Sequence, residues 1–283
     1  MAQESIYFGK RVALLTRHFK ERVIQPVLHE ALGCIVETIR DFDTDSLGTF
    51  TREIPRQSTQ LQVACEKARL GMDISGLSLG MASEGSFGPD PMVGLIPWNV
   101  EVLVFLDSEN ELEVVGTAQG KANFAHLLTD NLKEAQVFAS RVNFPESHLV
   151  VRPESEKDSR IIKGISSDDD LAEALGWAIR ESSNGFAFIE TDVRAHANPT
   201  RMAVIAQAAE DLAARLSSLC PKCATPGYWI TKRIGSLPCA NCGTPTSEPA
   251  TDVYACLKCA HTELREASDD ARADAGRCQL CNP

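Results

Sequence analysis

The segment RVALLTRHFKERVIQPVLHEALGCIVETI, residues 11–39, predicts a strand, a helix and a second strand in close succession. Residues 11–16 are mostly apolar, residues 20–32 repeat apolar side chains at helical spacing, and residues 34–39 are rich in β-branched side chains. Gly33 stands where a helix typically ends. A strand, a helix and a strand in this order are typical of α/β layer proteins.

The same alternation continues outward from this segment. Ser58 is a candidate N-cap for a helix that carries Leu61 and Ala64 on its apolar face. Further strands are predicted at 77–83, 100–107, 111–117, 148–152 and 186–191, and further helices at 130–142, 169–181 and 202–219. We therefore expect an α/β domain over residues 1–217, with a mixed or largely parallel sheet and flanking helices.

Eight of the ten cysteines form four Cys-x-x-Cys pairs in the last third of the chain. The pairs are Cys220/Cys223, Cys239/Cys242, Cys256/Cys259 and Cys278/Cys281. Two such pairs supply four thiolates, so the pattern predicts two structural zinc ions in a C-terminal double zinc ribbon over residues 218–283. Four thiolates leave no position for water, which argues against catalysis by these ions. Both a sequential pairing and a crossed pairing, with Cys220/Cys223 joined to Cys256/Cys259, agree with the spacing.

The chain is acidic, with 28 Lys and Arg against 39 Asp and Glu and a formal net charge of −11. From Ser218 onward the counts are 7 and 7, so the negative excess lies in the preceding residues. This charge does not favour nucleic acid as a partner of the zinc ribbons, because backbone contacts to nucleic acid need a basic surface. Met1–Lys10 lacks the apolar core of a signal peptide, and no segment has transmembrane length. We expect a cytoplasmic protein with reduced thiols and no membrane partner; the sequence leaves the oligomeric state open.

Polar loops that follow strands are the places where ligands collect in open α/β sheets. Three such loops carry candidate residues. The first holds Thr16, His18 and Lys20, the second holds Asp43 and Asp45, and the third holds Glu84 and Ser86. The first precedes a helix whose N–H groups and basic neighbours would seat a phosphate. The carboxylates of the other two are candidate ligands for Mg²⁺, although neither loop has the layout of an EF-hand.

A fourth loop, ETDVRAHANPTR at residues 190–201, is the densest in reactive side chains. If the segment is extended, alternation places Glu190, Asp192, Arg194 and His196 on one side. Such a set can hold Mg²⁺, bind phosphate and move a proton. The other interpretation is a surface loop with ion pairs; we favour the functional one, with Arg201 as a further phosphate-binding residue.

The whole chain resembles an uncharacterised bacterial family known only as a domain of unknown function. The phrases that carry this resemblance are DFDTDSLGTFTREIPR (41–56), SEGSFGPDP (83–91), ETDVRAHANPTRM (190–202) and the CPKCATPGY and PCANCG phrases of the zinc tail. The resemblance implies no activity. It indicates that the polar loops and the zinc tail belong to one recurrent design.

The first 120 residues or so are also similar in pattern to the inosine/xanthosine triphosphate pyrophosphatase group. The pattern is a strand, a polar loop, a helix, a strand, an acidic loop, a helix with Lys67 and Arg69, and a strand ending in SEGSFG. This resemblance implies phosphate contacts from Thr16, His18, Lys20, Lys67 and Arg69, and Mg²⁺ binding by Glu84 with Asp43 or Asp45.

Together these observations predict a metal-dependent phosphohydrolase or pyrophosphatase that acts on a nucleotide or another phosphorylated small molecule. Glu84, Glu190, Asp192 and His196 are the candidate catalytic residues, with Mg²⁺ or Mn²⁺ as the cofactor. Ser86, Arg194 and Arg201 would contact the substrate with the phosphate-binding residues named above. The alternatives are a non-enzymatic zinc-ribbon module for a nucleic acid or a protein, and a sensor or transferase that binds a phosphorylated ligand without hydrolysing it.

Overall fold

The computed structural model describes residues 5–40, 42 and 58–283. These residues divide into two compact units, one ending at Ala213 and the other beginning at Ala214. The first unit is a mixed α/β structure with two sheets and flanking helices, and the second holds a small sheet and the cysteine pairs. No described helix is both long enough and apolar enough to cross a bilayer.

The first sheet has five strands in the order β2-β1-β3-β4-β5. The strands are β1 (Arg11–Leu15), β2 (Ile35–Ile39), β3 (Leu79–Pro89), β4 (Pro97–Asp107) and β5 (Leu112–Lys121). β1 is parallel to both of its neighbours, whereas β3, β4 and β5 pair antiparallel. The sheet is therefore mixed.

Two helices of this sheet begin and end close to the predicted positions. α1 (Glu21–Leu32) ends at Gly33, whose φ of 68° is the left-handed conformation that glycine adopts without strain. α2 (Gln60–Ser75) begins after Thr59, which forms a capping box with Gln62, so the predicted cap at Ser58 is wrong by one residue. Ala64 packs in the core as expected, but Leu61 is 40% exposed.

β3 is much longer than predicted, because SEGSFGP continues the strand instead of forming a loop. Its pairing with β4 runs from Leu79↔Asp107 to Pro89↔Pro97. Its pairing with β1 covers only Ala13↔Gly80 and Leu14↔Met81. β3 therefore projects past the carboxyl end of β1, and its residues from Ser83 onward present an edge that β1 does not cover.

A second, antiparallel sheet follows, in the order β6-β9-β7-β8. Its strands and helices are β6 (His126–Thr129), α3 (Leu132–Arg141), β7 (Leu149–Pro153), β8 (Ile162–Ile165), α4 (Asp168–Glu181) and β9 (Ala187–Thr191). β6 and β8 were not predicted; the mixed α/β architecture with flanking helices is confirmed, and its strands form two sheets. Phe138, Leu149, Leu175 and Ile189 are members of one buried core.

The last helix of the first unit packs directly on β5. α5 (Pro199–Ser217) begins earlier than predicted, after Asn198, whose Oδ1 accepts a hydrogen bond from the backbone N–H of Arg201 at 3.0 Å. Gly116 faces the backbone of Ala208 and Leu212 so closely that a Cβ would overlap both. This contact holds the middle of α5 against β5 of the first sheet.

The second unit contains the antiparallel sheet β10-β11-β12, formed by β10 (Trp229–Ile234), β11 (Thr251–Ala255) and β12 (Thr262–Glu266). Tyr228 is buried beside Cys220 and Cys256. The small apolar core of this unit is therefore built around cysteine side chains.

Candidate active site and metal centres

Lys20, the residue before α1, extends its side chain to the open edge of β3. Its Nζ donates to the carbonyl oxygen of Ser83 at 2.8 Å and to the hydroxyl of Ser83 at 3.1 Å. The residue is only 7% exposed. Burial, followed by the positive charge of Arg201, lowers the pKa of Lys20 to about 8, while the carboxylates of Glu101 and Glu84 oppose the shift.

Two ion pairs lie within electrostatic reach of Lys20. Lys67 of α2 donates to Glu84 Oε2 at 2.7 Å, and Arg201 of α5 donates to Glu101 Oε1 at 2.7 Å. We call the set Lys20, Lys67, Ser83, Glu84, Glu101 and Arg201 the Lys20 notch. It brings together the first, third and fourth polar loops at the carboxyl end of β1, where ligands of α/β sheets collect.

Gly85 keeps the notch narrow. A Cβ at this position would overlap the carboxylate of Glu101 and the guanidinium of Arg201. Gly85 pairs with Glu101 across β3 and β4, so the ion pair lies over the backbone of the ribbon. Only glycine permits this approach.

A histidine cluster lies next to the fourth loop. The rings of His18 and His196 stack with centroids 5.1 Å apart, and His148 meets His196 edge-on at 6.5 Å. Burial, followed by the charges of His18 and Arg194, lowers the pKa of His196 to about 4. Among the described residues, the buried Nδ1 atoms of His148 and His196 have no hydrogen-bond partner. His196 is therefore neutral at pH 7.

The acids of the fourth loop are held by arginines. Asp192 is completely buried, and both of its oxygens accept hydrogen bonds from Arg194 Nε at 3.0 Å. Glu190 pairs with Arg152 at 3.4 Å inside the second sheet. Alternation of side chains between two faces requires an extended backbone, which ends with β9 at Thr191. Residues 195–197 form a 3-10 turn instead. The four side chains therefore do not share one face.

The remaining candidates lie as follows. Thr16 is buried and its hydroxyl accepts from the backbone N–H of His18 at 3.4 Å, while Ser86 donates to Gln60 at 3.1 Å. Arg69 is exposed and pairs with Glu113 at 4.0 Å, away from the notch, because residues two apart on a helix do not share a face. Asp43 and Asp45 lie outside the described residues.

Two residues of the site, Glu101 and His148, were not predicted from the sequence. Glu101 interrupts an apolar strand at a position that is 0% exposed, and the signal for it was a single acid between valines. His148 precedes β7, and its position beside His196 follows only from the pairing of β7 with β9. Neither contact is local in sequence.

The cysteines of the second unit form two clusters with crossed pairing. The first contains Cys220, Cys223, Cys256 and Cys259, and the second contains Cys239, Cys242, Cys278 and Cys281. Sulfur–sulfur distances across the pairs are 3.7 and 3.6 Å in the first cluster and 3.8 and 3.6 Å in the second. A tetrahedron with zinc–sulfur bonds of about 2.3 Å has edges of about 3.8 Å. Both clusters therefore have the size of a four-thiolate zinc site.

Hydrogen bonds lower the pKa of Cys223 in the first cluster and of Cys239 and Cys242 in the second, which favours their thiolate forms. The side chain and backbone of Thr225 lower the pKa of Cys223 to about 6, and Thr244 does the same for Cys242. The thiolate is the form that binds metal. The donor set, the spacing and these bonds all fit structural zinc.

Comparisons with known proteins agree with part of this description. No curated protein and no solved structure matches the chain, so the similarity to the pyrophosphatase group gains no support from them. The family model described as "Domain of unknown function (DUF6671)" matches residues 65–283, which include Lys67, Glu84, Glu101, the fourth loop and all eight paired cysteines. The chain therefore belongs to the DUF6671 family of domains of unknown function.

Proposed function

We propose that the first unit hydrolyses a phosphorylated small molecule of the nucleotide class in the Lys20 notch. The observation that carries this proposal is the excess of buried positive charge there. Among the described residues, the notch contains three cationic side chains, Lys20, Lys67 and Arg201, and two carboxylates, Glu84 and Glu101. Unbalanced buried charge is costly, and a phosphate oxygen would offset it.

The three cations would bind the phosphates and stabilise the charge that develops on them. His196 would accept a hydrogen bond or a proton from the attacking water, because its imidazole is neutral at pH 7. Asp192 and Arg194 would position this loop through their ion pair and would not contact the substrate.

Mg²⁺ or Mn²⁺ would be held by the carboxylate of Glu84 on the α2 side of the β3–β4 ribbon, because Glu101 lies on the opposite side and pairs with Arg201 of α5. In the part of the chain that the structure describes, three or more ligand atoms gather only in the two cysteine clusters. Mg²⁺ is commonly held by one or two carboxylates together with substrate phosphates, so the ion would enter with its substrate. It would polarise a phosphoryl oxygen and lower the pKa of water.

The test is phosphate or pyrophosphate release from nucleoside mono- and triphosphates with Mg²⁺ or Mn²⁺. We expect Lys20→Met and the double variant Lys67→Met/Glu84→Gln to lower kcat/KM by roughly 10²-fold or more, because each removes groups that contact the phosphates. The double variant removes both charges of the buried pair and leaves neither one uncompensated. Glu113→Gln, at the exposed pair with Arg69, is the control and should retain activity.

Unchanged turnover in Lys20→Met would contradict this site. No turnover on any substrate, with zinc content and folding intact, would contradict hydrolysis. Saturable nucleotide binding that Lys20→Met abolishes would then favour a sensor or transferase, and no nucleotide binding would favour the zinc-ribbon binding module.

A further inference from the structure

A separate groove lies between α3 and the segment that joins β5 to β6. It has a volume of about 660 Å³, and its walls include Phe124, Leu127, Val137, Lys121, Lys133 and Arg141. Ligand pockets commonly measure about 300–1,000 Å³. We call this cavity the α3 groove; none of its lining residues belongs to the Lys20 notch.

The walls of the α3 groove are apolar on both sides. Phe124 lines it from the segment between β5 and β6, Leu127 lines it from β6, and Val137 lines it from α3. Val137 is 63% exposed, whereas the adjacent Phe138 of the same helix is buried. An apolar body placed in the groove would cover this surface.

The charge of the α3 groove is opposite to that of the chain. Lys121, Lys133 and Arg141 line it, and Glu134 is the one acid among its described lining residues. The carboxylate of Glu134 accepts a hydrogen bond from the Thr129 hydroxyl at 2.6 Å. Within the described part of the chain, the three cationic side chains form no ion pair. In a chain with a net charge of −11, this group of cations is complementary to an anion.

We propose that the α3 groove binds a small molecule with an apolar body and a carboxylate or phosphate group. The body would lie against Phe124, Leu127 and Val137, and the anionic group would meet Lys121, Lys133 or Arg141. This proposal does not depend on hydrolysis in the Lys20 notch. The two sites adjoin through Phe87. Its ring centroid lies 5.8 Å from that of Phe124 in the groove and 5.5 Å from Cζ of Arg201 in the notch.

The experiment is isothermal titration calorimetry, which measures the binding of two kinds of probe to the full-length, zinc-loaded protein. Adenosine monophosphate represents an aromatic body with a phosphate, and 3-phenylpropionate and octanoate represent apolar bodies with a carboxylate. We expect at least one probe to saturate one site, and Lys121→Ala/Lys133→Ala to weaken its binding roughly tenfold through the loss of two charge contacts. Val137→Asp should weaken it at least as much, because the new acid repels the anion.

Two matched variants serve as controls. Lys157→Ala removes an exposed lysine elsewhere, and Val93→Asp places an acid at a valine that is 66% exposed in a loop. Both should leave binding unchanged. Nucleotide binding that is weakened by Lys20→Met and not by the groove variants belongs to the notch; if neither carboxylate then binds, the proposal is wrong. Failure of every probe to saturate a site would also overturn it.

Discussion

At the scale of single residues, charges that lie close together are balanced in different ways. Glu84 and Glu101 are compensated by direct ion pairs, whereas His196 avoids a charge altogether. His18, His148 and Arg194 disfavour its protonation, and the carboxylate of Asp192 favours it. A proton added to His196 would therefore meet mainly positive or polarisable groups in a half-buried space.

Acid should destabilise the first unit through His196. Its pKa is about 4 in the folded protein, against 6.5 for an unperturbed histidine, so the unfolded chain binds the proton first as the pH falls. The free energy of unfolding should decrease between pH 6.5 and pH 4, and His196→Gln should flatten this decrease. Urea unfolding at several pH values measures it.

The control for this measurement is His29→Gln, at an exposed histidine of α1. It should leave the pH dependence as in the unmodified protein. An identical slope in His196→Gln and the unmodified chain would show that this imidazole does not titrate as its surroundings predict.

At the scale of elements, the extension of β3 past β1 creates the site. The strand exposes an edge whose carbonyl groups need donors, and Lys20 supplies one by bonding to the carbonyl of Ser83. This bond brings the start of α1 to the edge, and the Lys67–Glu84 pair ties α2 to the same strand. The notch is thus a consequence of unequal strand lengths.

Gly116→Ala should destabilise the first unit by about 1–3 kcal/mol, because its Cβ would meet the backbone of α5, which cannot move aside as a flexible side chain can. Gly120→Ala is the matched control on the same strand. Its nearest neighbour would be a Val204 methyl at 3.8 Å, an ordinary contact, so the change should stay within about 0.5 kcal/mol. Urea midpoints compare the two, and equal midpoints would show that α5 is not seated on Gly116.

Sequence patterns predicted the long elements and missed the short or polar ones. β1, α1 and the β4–β5 hairpin have clear apolar periods, and the structure confirms them. β6 and β8 have four residues each, too few to show alternation. The polar end of β3 has the composition of a loop, since its strand character depends on pairing with β4. The same dependence hid the pairing of Glu101 with Arg201, which are 100 residues apart.

At the scale of the whole molecule, the second unit is organised by its metal clusters. Each cluster joins two cysteine pairs that are separated by a pair belonging to the other cluster. The sequence left both pairing schemes open, because spacing constrains only the loops. The antiparallel pairing of β10 and β11 agrees with the crossed scheme. The chain leaves Cys223 along β10 and returns along β11, which ends next to Cys256.

Zinc content of double variants tests this pairing. Cys223→Ser/Cys256→Ser alters one cluster and should retain about one zinc per chain, whereas Cys223→Ser/Cys239→Ser alters both and should retain none. The unmodified protein should bind two. Elemental analysis of the purified proteins measures this ratio, and one retained ion in the Cys223/Cys239 variant would establish sequential pairing instead.

The crossed pairing also bears on how the chain acquires its metal during synthesis. Cys220 meets Cys259, 39 residues later, and Cys239 meets Cys281, 42 residues later. Cys239 and Cys242 leave the ribosome before Cys256 and Cys259, so the first four thiols of this unit to emerge are a complete but non-native ligand set. An ion captured there must be released or exchanged before the native clusters form. Ligand exchange at zinc would then be a step in the maturation of this unit.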